Sequence, residues 1–174
     1  LYKVERSVLE KNENLNMKVY PFIGDIRDKN KIKTIIKNFN INAIFHAAAY
    51  KHVPLVQLNP MQGIKNNIFS TLIICKSAMK NSVQKVLLIS SDKAVRPTNI
   101  MGASKRLAEL CMKGVHENAK NNNINFSIVR FGNVLESSGS VIPKFREQIK
   151  QNGPITLTHK DVTRYFMTVK EAAQ

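Results

Sequence analysis

No apolar run in the 174 residues reaches the roughly 18 consecutive positions that a membrane-spanning helix needs, and no signal-peptide pattern opens the chain. A soluble, cytoplasmic segment is the expectation. Cysteine is nearly absent: Cys75 and Cys111 stand far apart, with neither CxxC spacing nor a histidine cluster beside them. That pattern points to two buried reduced thiols and to no metal site. Acidic residues are few, 12 against 27 lysines and arginines, giving a formal charge of +15. A basic balance of this size raises nucleic acid or an anionic membrane surface as partners. The lysines are scattered among asparagines at 29–42 and 113–125, however, with no dense basic block and no interleaved aromatics for base stacking. No nucleic-acid partner is expected, and a lysine- and asparagine-rich surface with a few phosphate-binding positions accounts for the charge. Internal repeats and low-complexity linkers are also missing. With 43% hydrophobic residues, the whole of 1–174 reads as part of one domain with a real core.

What is there centres on 85–105, KVLLISSDKAVRPTNIMGASK. Residues 86–89 form a short run of mostly branched apolar side chains, which suits a strand buried on both faces of a parallel sheet, though a run this short also fits a helix. The polar cluster of Ser90, Ser91, Asp92 and Lys93 follows abruptly. In an open α/β sheet, ligands sit beyond the carboxyl ends of the strands, so these side chains would stand at the mouth of a crevice. Pro97 and Asn99 turn the chain, and 101–115 has the spacing of an amphipathic helix carrying Lys105 on its first turns. A strand, a polar tip and a lysine on the next helix make a candidate reaction centre, although Ser-Asp-Lys is also an ordinary turn sequence.

Elsewhere, 1–12 reads as a helix already under way, with Leu1, Val4, Val8 and Leu9 on one face and no start signal ahead of it. The chain is therefore expected to enter its fold in mid-course. Residues 17–23 are a strand candidate, weakened in its far half by Pro21 and ending at Gly24-Asp25. Asp28 is placed to cap the next helix, in which Ile32, Ile35, Ile36 and Phe39 fit the i, i+3, i+4, i+7 template. A strand at 43–46 leads to Ala47, Ala48 and Ala49, three small side chains that either admit a flat ligand close to the backbone or pack tightly in a core. A long helix is predicted over 62–79, with Ile64, Ile68, Leu72, Cys75 and Met79 along one stripe. Then come a strand over 125–130, a polar loop at 137–140, a helix over 141–150, short strands within 155–167, and a helix beginning at Glu171. Strands alternating with helices of a dozen or more residues mean βαβ units. The fold class is α/β, a doubly wound parallel sheet expected to lack its first strand.

Six segments follow one another over nearly the whole chain: GDIRD at 24–28, FHAAAYKHVP at 45–54, NNIFST at 66–71, SSDKAVRPTNIMGASKR at 90–106, RFGNVLESSGSVIP at 130–143 and THKDVTRYFMT at 158–168. In that succession they resemble the extended short-chain dehydrogenase/reductase superfamily, with its NAD(P)-binding Rossmann-type fold. Within it they resemble the CapD-type polysaccharide biosynthesis proteins, which are nucleotide-sugar 4,6-dehydratases. The resemblance implies that Asp25 hydrogen-bonds the adenine amino group of NAD while Ile26 packs on the ring. Taken alone, Asp25 would only close a strand. It implies further that His46 to Ala49 line the cofactor, with no chemistry assigned to His46, and that Asn67 is the structural asparagine of the long helix. The family's glycine-rich loop, which holds the pyrophosphate at a helix N-terminus, is missing, since no GxGxxG occurs in the sequence. Also missing is the acidic residue that holds the adenosine ribose. Cofactor binding is therefore expected of the intact protein.

The reaction the resemblance implies removes water across C5 and C6 of the hexose of UDP-N-acetylglucosamine, giving a 4-keto-6-deoxy sugar. NAD is required as hydride acceptor, because the C5 proton becomes acidic only once C4 is a ketone. Asp92 matches the general acid at the C6 hydroxyl, Lys93 the base at C5, and Ser91 the group that hydrogen-bonds O4. A lysine serves as a base only if its pKa falls from about 10.4 towards neutrality, for which desolvation and the cations Lys105 and Arg96 are the expected means. Asp92 must conversely be protonated when needed. The superfamily's usual YxxxK pair is represented by Met101 and Lys105, an arrangement some CapD-type proteins resemble. Lys105 is implied to hold the nicotinamide ribose hydroxyls, whereas Met101 has no proton to exchange. The group that takes the O4 proton stays open among Ser91, Asp92 and a water.

For the substrate, Asn133 matches a residue that contacts the nucleotide sugar. Lys144 and Arg164 are candidates for its diphosphate, with a solvated helix face the alternative for Lys144. Substrate-binding elements thus fall mainly in 131–174, and Glu136 is left without a role. A UDP-sugar epimerase and a non-catalytic NAD-fold module are the competing functions. Related enzymes are commonly homo-oligomers, and larger members carry membrane-spanning segments ahead of the catalytic domain, so the intact protein is compatible with an inner-membrane anchor.

Overall fold

Branched apolar segments bounded by polar ones become the strands of a small parallel sheet. The structure, a computed structural model, describes residues 2–12, 17–118, 123–135, 137, 140–157 and 159–174. Expectations that touch Leu1, Glu136, Ser138, Gly139 and Thr158 lie outside the described residues. In chain order the elements are α1 (Tyr2–Asn12), α2 (Lys29–Asn38), β1 (Ala43–His46), α3 (Val53–Leu58), α4 (Pro60–Ile64), a π-helical turn (Lys65–Phe69), α5 (Ser70–Lys80), β2 (Lys85–Ser91) and a 3-10 turn (Asp92–Ala94). There follow α6 (Ile100–Glu117), β3 (Asn125–Phe131), β4 (Asn133–Val134), α7 (Val141–Lys150), β5 (Phe166–Met167) and α8 (Val169–Ala173). The main sheet has the order β1-β2-β3, all parallel, and β4 pairs with β5 in a separate parallel ribbon.

The register decides which face is covered. His46 lies beside Leu88, and Val86, Leu88 and Ser90 lie beside Phe126, Ile128 and Arg130, so these side chains share one face. Against it pack Ile36 of α2, Ile74, Cys75 and Ala78 of α5, and Ala108 and Met112 of α6. Each such side chain fully removed from water contributes about 1.5–3 kcal/mol. On the opposite face Phe45 is 75% exposed and Leu87, Ile89 and Val129 are half-buried. The doubly wound arrangement, with helices on both faces, is thus realised on one face among the described residues. The α1 face of Val4, Val8 and Leu9 is likewise exposed.

Two expected strands change. Residues 17–25 form no strand, because they pair with neither edge of the sheet and Pro21 lacks a donor. They are held instead by side chains: Tyr20 and Phe22 pack on Phe39 with ring centroids 4.9 and 5.4 Å apart, and the Ile23 carbonyl accepts from Lys31 Nζ. Among the described residues of 155–167, only Phe166–Met167 finds a partner and becomes a strand.

The expected long helix is found but not uniform, since the turn Lys65–Phe69 widens to π geometry. There the Ser70 and Thr71 hydroxyls donate to the carbonyls of Asn66 and Asn67, the usual way of satisfying groups that a regular ladder would have used. Asp28 caps α2, its carboxylate accepting from the backbone N–H of Asn30 and Lys31 at 3.1 and 3.0 Å. Asn99 does the same for α6 through the Gly102 N–H at 2.8 Å.

Candidate active site

Strand β2 ends at Ser91, and the next residues turn over the N-terminal end of α6. The approach is close: a Cβ on Gly102 would collide with the Lys93 carbonyl, so glycine lets the helix sit directly under the turn. In this turn the Asp92 carboxylate accepts from the Lys93 N–H at 2.8 Å, the Ser91 hydroxyl at 2.9 Å and Lys93 Nζ at 3.0 Å. Lys93 Nζ also reaches Asn133 Oδ1 at 3.3 Å. Asn133 is itself set by β4, with its N–H on the Tyr165 carbonyl at 3.0 Å. Four residues named from the sequence, Ser91, Asp92, Lys93 and Asn133, are therefore in one cluster.

Its electrostatics differ from the expectation for a resting acid and base. Burial raises the Asp92 carboxyl, but the Lys93 ammonium and the Ser91 hydroxyl more than offset it and hold the group below the usual carboxylate range. Asp92 is an ionised partner of Lys93 in this geometry. Of the cations expected near Lys93, Lys105 Nζ donates to the Ile89 carbonyl at 2.6 Å and Arg96 is exposed. Lys105 is 7% exposed, and burial pushes its pKa down against the pull of Glu109. Met101 is 3% exposed and its carbonyl accepts from Ser104.

Around the lysines runs a buried polar chain. Asn67 clasps Tyr50, taking its N–H at 2.7 Å and giving to its carbonyl at 3.0 Å, and donates to Ser104 Oγ at 2.9 Å. That clasp fixes the loop after β1, on which Ala47 and Ala48 are exposed and Ala49 half-buried. Of the two readings of these alanines, close approach of a ligand is the one this exposure suits. His46 Nε2 lies 3.0 Å from Thr71 Oγ1.

A hollow of about 510 Å³ is lined by Asp25, Arg27 and Asp28, ahead of α2, and by Lys65 and Phe69 of the π-helical turn. Arg27 Nε holds both Asp25 oxygens, at 2.9 and 3.0 Å, and this pair pulls the Asp25 carboxyl down to about 2. Ile26 is half-buried against the core. The hollow is large enough in volume for an adenine-sized group. The residues present are thus compatible with the adenosine and nicotinamide ends of a dinucleotide.

Lys144 and Arg164 are exposed, and neither bonds to the Lys93 cluster; Arg164 Nη1 donates to the Thr163 carbonyl at 2.7 Å. Arg164 does precede Tyr165, the residue that seats Asn133. Sequence reasoning missed Lys51, whose ammonium reaches Ser137 Oγ at 3.4 Å across the crevice. It also missed Glu109, bonded to Ser90, Arg106 and Arg130. Lys51 lies inside the FHAAAYKHVP segment, which was the available signal for it. Of the two cysteines, Cys75 is fully buried, its thiol pushed up to about 12 mainly by burial, while Cys111 is only half-buried; both are free.

A model of the family described as polysaccharide biosynthesis protein matches residues 1–174. The capsular polysaccharide biosynthesis protein CapD of Staphylococcus aureus is 44% identical over 174 residues, covering 100% of this chain and 28% of that protein. A UDP-glucose 4-epimerase of Rickettsia bellii is 40% identical over 158 residues, covering 90% of this chain and 46% of its own length. A UDP-N-acetylglucosamine 4,6-dehydratase (inverting) of Campylobacter jejuni is 34% identical over 154 residues, covering 88% and 46%. The chain thus spans from about a quarter to about half the length of these relatives.

Among solved structures, Pen from Bacillus thuringiensis matches with a TM-score of 0.89 at 37% identity, over 99% of this chain and 52% of that one. The dTDP-glucose 4,6-dehydratase DesIV of Streptomyces venezuelae, solved with NAD and DAU bound, matches in fold with a TM-score of 0.83 at 19% identity, over 97% and 56%. The α/β fold with its parallel sheet is shared with these solved structures. No described helix is long and apolar enough to cross a membrane.

Proposed function

This chain belongs to the polysaccharide biosynthesis protein family, and we propose that the intact protein is a 4,6-dehydratase acting on UDP-N-acetylglucosamine, with Asp92 and Lys93 as its acid and base. The observation that carries this reading is the 3.0 Å ion pair between Lys93 Nζ and Asp92 Oδ1 at the end of β2. Elimination of water from C5 and C6 needs a neutral amine and a protonated carboxyl side by side. Moving one proton from Lys93 to Asp92 turns the ion pair into that acid and base with no change in total charge. In water the ionic form wins; when substrate and cofactor cover the pair and exclude water, the neutral form gains. Lys93 then removes the C5 proton of the 4-keto sugar, and Asp92 gives its proton to the departing C6 hydroxyl.

NAD, when bound, would take the hydride from C4 and give it back at C6 after water leaves, with C5 regaining a proton, so that the net change is loss of one water and the cofactor is unchanged. The chain's own residues do the rest of the work. Asp25 and Ile26 receive the adenine, Ala47, Ala48 and Ala49 allow the dinucleotide to lie close to the backbone, and Lys105 holds the nicotinamide ribose hydroxyls. Ser91 hydrogen-bonds O4. Met101 contributes no proton, so Ser91, Asp92 or a water takes the one on O4. Asn133 contacts the sugar next to Lys93, and Lys144 and Arg164 meet the diphosphate, Arg164 with the planar fork that suits two oxygens at once.

The similarity to UDP-glucose 4-epimerases keeps a second reading open. An epimerase acting at C4 has no use for an acid at C6 or a base at C5, so the Asp92–Lys93 pair favours dehydration over that reaction. Intact protein incubated with UDP-N-acetylglucosamine and NAD is expected to yield a product lighter by one water in the mass spectrum. Lys93→Ala is expected to lower that rate by roughly 10²- to 10⁴-fold, the usual contribution of a general base. Unchanged turnover in the variant would remove Lys93 from this role.

A further inference from the structure

Glu109 is 2% exposed and takes no part in the chemistry above. Four hydrogen bonds end on its carboxylate: from Ser90 Oγ at 2.6 Å, Arg106 Nη1 at 3.0 Å, Arg130 Nε at 2.9 Å and Arg130 Nη2 at 2.6 Å. Burial works against the charged form, but Arg130, Ser90 and Arg106 hold the carboxyl down to about 2. Replacing a buried ionic cluster by apolar side chains is commonly neutral for stability, so stability alone is a weak reason for building one.

The position of the cluster suggests a better reason. Glu109 lies one helical turn beyond Lys105 on α6, and Ser90 lies one residue beyond Ile89 on β2. The helix therefore grips the strand at successive residues, Lys105 on the Ile89 carbonyl and Glu109 on the Ser90 hydroxyl. Gly102, against the Lys93 carbonyl, makes the third contact of the same helix. Arg130 ties the same carboxylate to β3, which continues through Gly132 to Asn133, the partner of Lys93. Ser90 precedes Lys93 by three residues, and Arg130 precedes Asn133 by three. The two segments that meet at Lys93 Nζ are thus fastened, at equal distance along each chain, to one side chain of α6.

We infer that Glu109 is a positioning residue of the Asp92–Lys93 pair: by holding Ser90 and Arg130 at once, it fixes the ends of β2 and β3 against α6 and so sets Lys93 Nζ between Asp92 and Asn133. This rests on the acid and base roles proposed above. Glu109 itself touches neither substrate nor cofactor.

The test uses the intact protein. Glu109→Gln keeps the shape of the side chain and removes its charge, while Ser90→Ala cuts the single link to the strand. Each variant is expected to lower kcat for dehydration of UDP-N-acetylglucosamine by roughly ten- to a hundredfold, because a misplacement of about an ångström at reacting groups costs that much, with KM changed by less than about twofold. The double variant is expected to lose no more than Glu109→Gln alone, since the two changes cut one connection. Losses that multiply, or a raised KM at unchanged kcat, overturn the inference.

Ser90→Ala is also checked for its melting temperature and NAD affinity. A modest fall in melting temperature is expected from the lost hydrogen bond to a buried carboxylate, with NAD affinity matching the wild type, and a fall in NAD affinity alongside kcat would mean a merely structural role. The Lys93 Cε resonance is followed by NMR in both variants and is expected to move in the same direction. A wild type that dehydrates nothing sinks the functional reading, and the Lys93 resonance then decides the positioning role alone: unmoved in both variants, it overturns it.

Discussion

At His46 the chain keeps a titratable ring uncharged. Thr71 Oγ1 donates its own hydrogen to the Asn67 carbonyl at 2.8 Å, so at 3.0 Å from the ring it accepts, and the imidazole proton sits on Nε2. Nδ1 is buried with no partner among the described residues. Burial, and then the nearby Lys105 charge, push the pKa from 6.5 down to about 4. Between these two values the unfolded chain binds a proton on this ring that the folded chain does not, so the contribution of His46 to stability falls as pH drops from 6.5 to about 4 and changes no further below it. The full effect is of order 3 kcal/mol. Denaturant unfolding of wild type and His46→Gln across this range is expected to show the steeper slope in the wild type, the difference between the two being the contribution of the ring. A ring that titrates near 6.5 by NMR would contradict it.

The same scale shows how much of the site the sequence disclosed. Ser91, Asp92, Lys93 and Lys105 were legible because three of them follow a strand without a break and the fourth begins the next helix. Asn133 came only from resemblance, and the structure brings it to Lys93 across 40 positions. Glu109 left no trace, because its partners Ser90 and Arg130 stand 19 and 21 residues away and a lone acid on a helix reads as solvated.

Among the elements, α6 sets the geometry of the site. Its amphipathic period and the turn at Pro97 and Asn99 made it predictable to within two residues, while the capping role of Asn99 came from the structure. Its tight seat under the Asp92–Lys93 turn was not, because that depends on a missing side chain at Gly102. Gly102→Ala is expected to push the helix away from the Lys93 carbonyl and to destabilise the fold by about 1–3 kcal/mol, the usual range for overpacking. Urea unfolding measures this directly, and a variant as stable as the wild type would mean that the turn yields freely. The long helix was predicted as uniform, since nothing in its period marks the π-helical turn. That turn is tied to contacts of Asn67 with Tyr50 and Ser104, 17 and 37 residues distant. The segment 17–23 has strand composition but no strand beside it, and pairing decides.

For the whole molecule, one sheet face carries the core and the other leaves Phe45 75% exposed, while the chain spans 28% of the Staphylococcus aureus relative and 46% of the Campylobacter jejuni one. The cofactor contacts proposed for this chain are at Asp25, at the alanines after β1 and at Lys105. The pyrophosphate loop is not among them, because its glycine motif is not in the sequence. The reaction is therefore a property to be measured on the intact protein.

The most direct measurement of the Asp92–Lys93 chemistry is incubation with UDP-N-acetylglucosamine in D₂O, with the product examined by mass spectrometry and NMR. A product that has lost water and carries one deuterium at C5 is the predicted result, because the base that removes the C5 proton exchanges with solvent before carbon is reprotonated. A C4 epimer of unchanged mass with no deuterium at C5, or a substrate left untouched, would contradict the account.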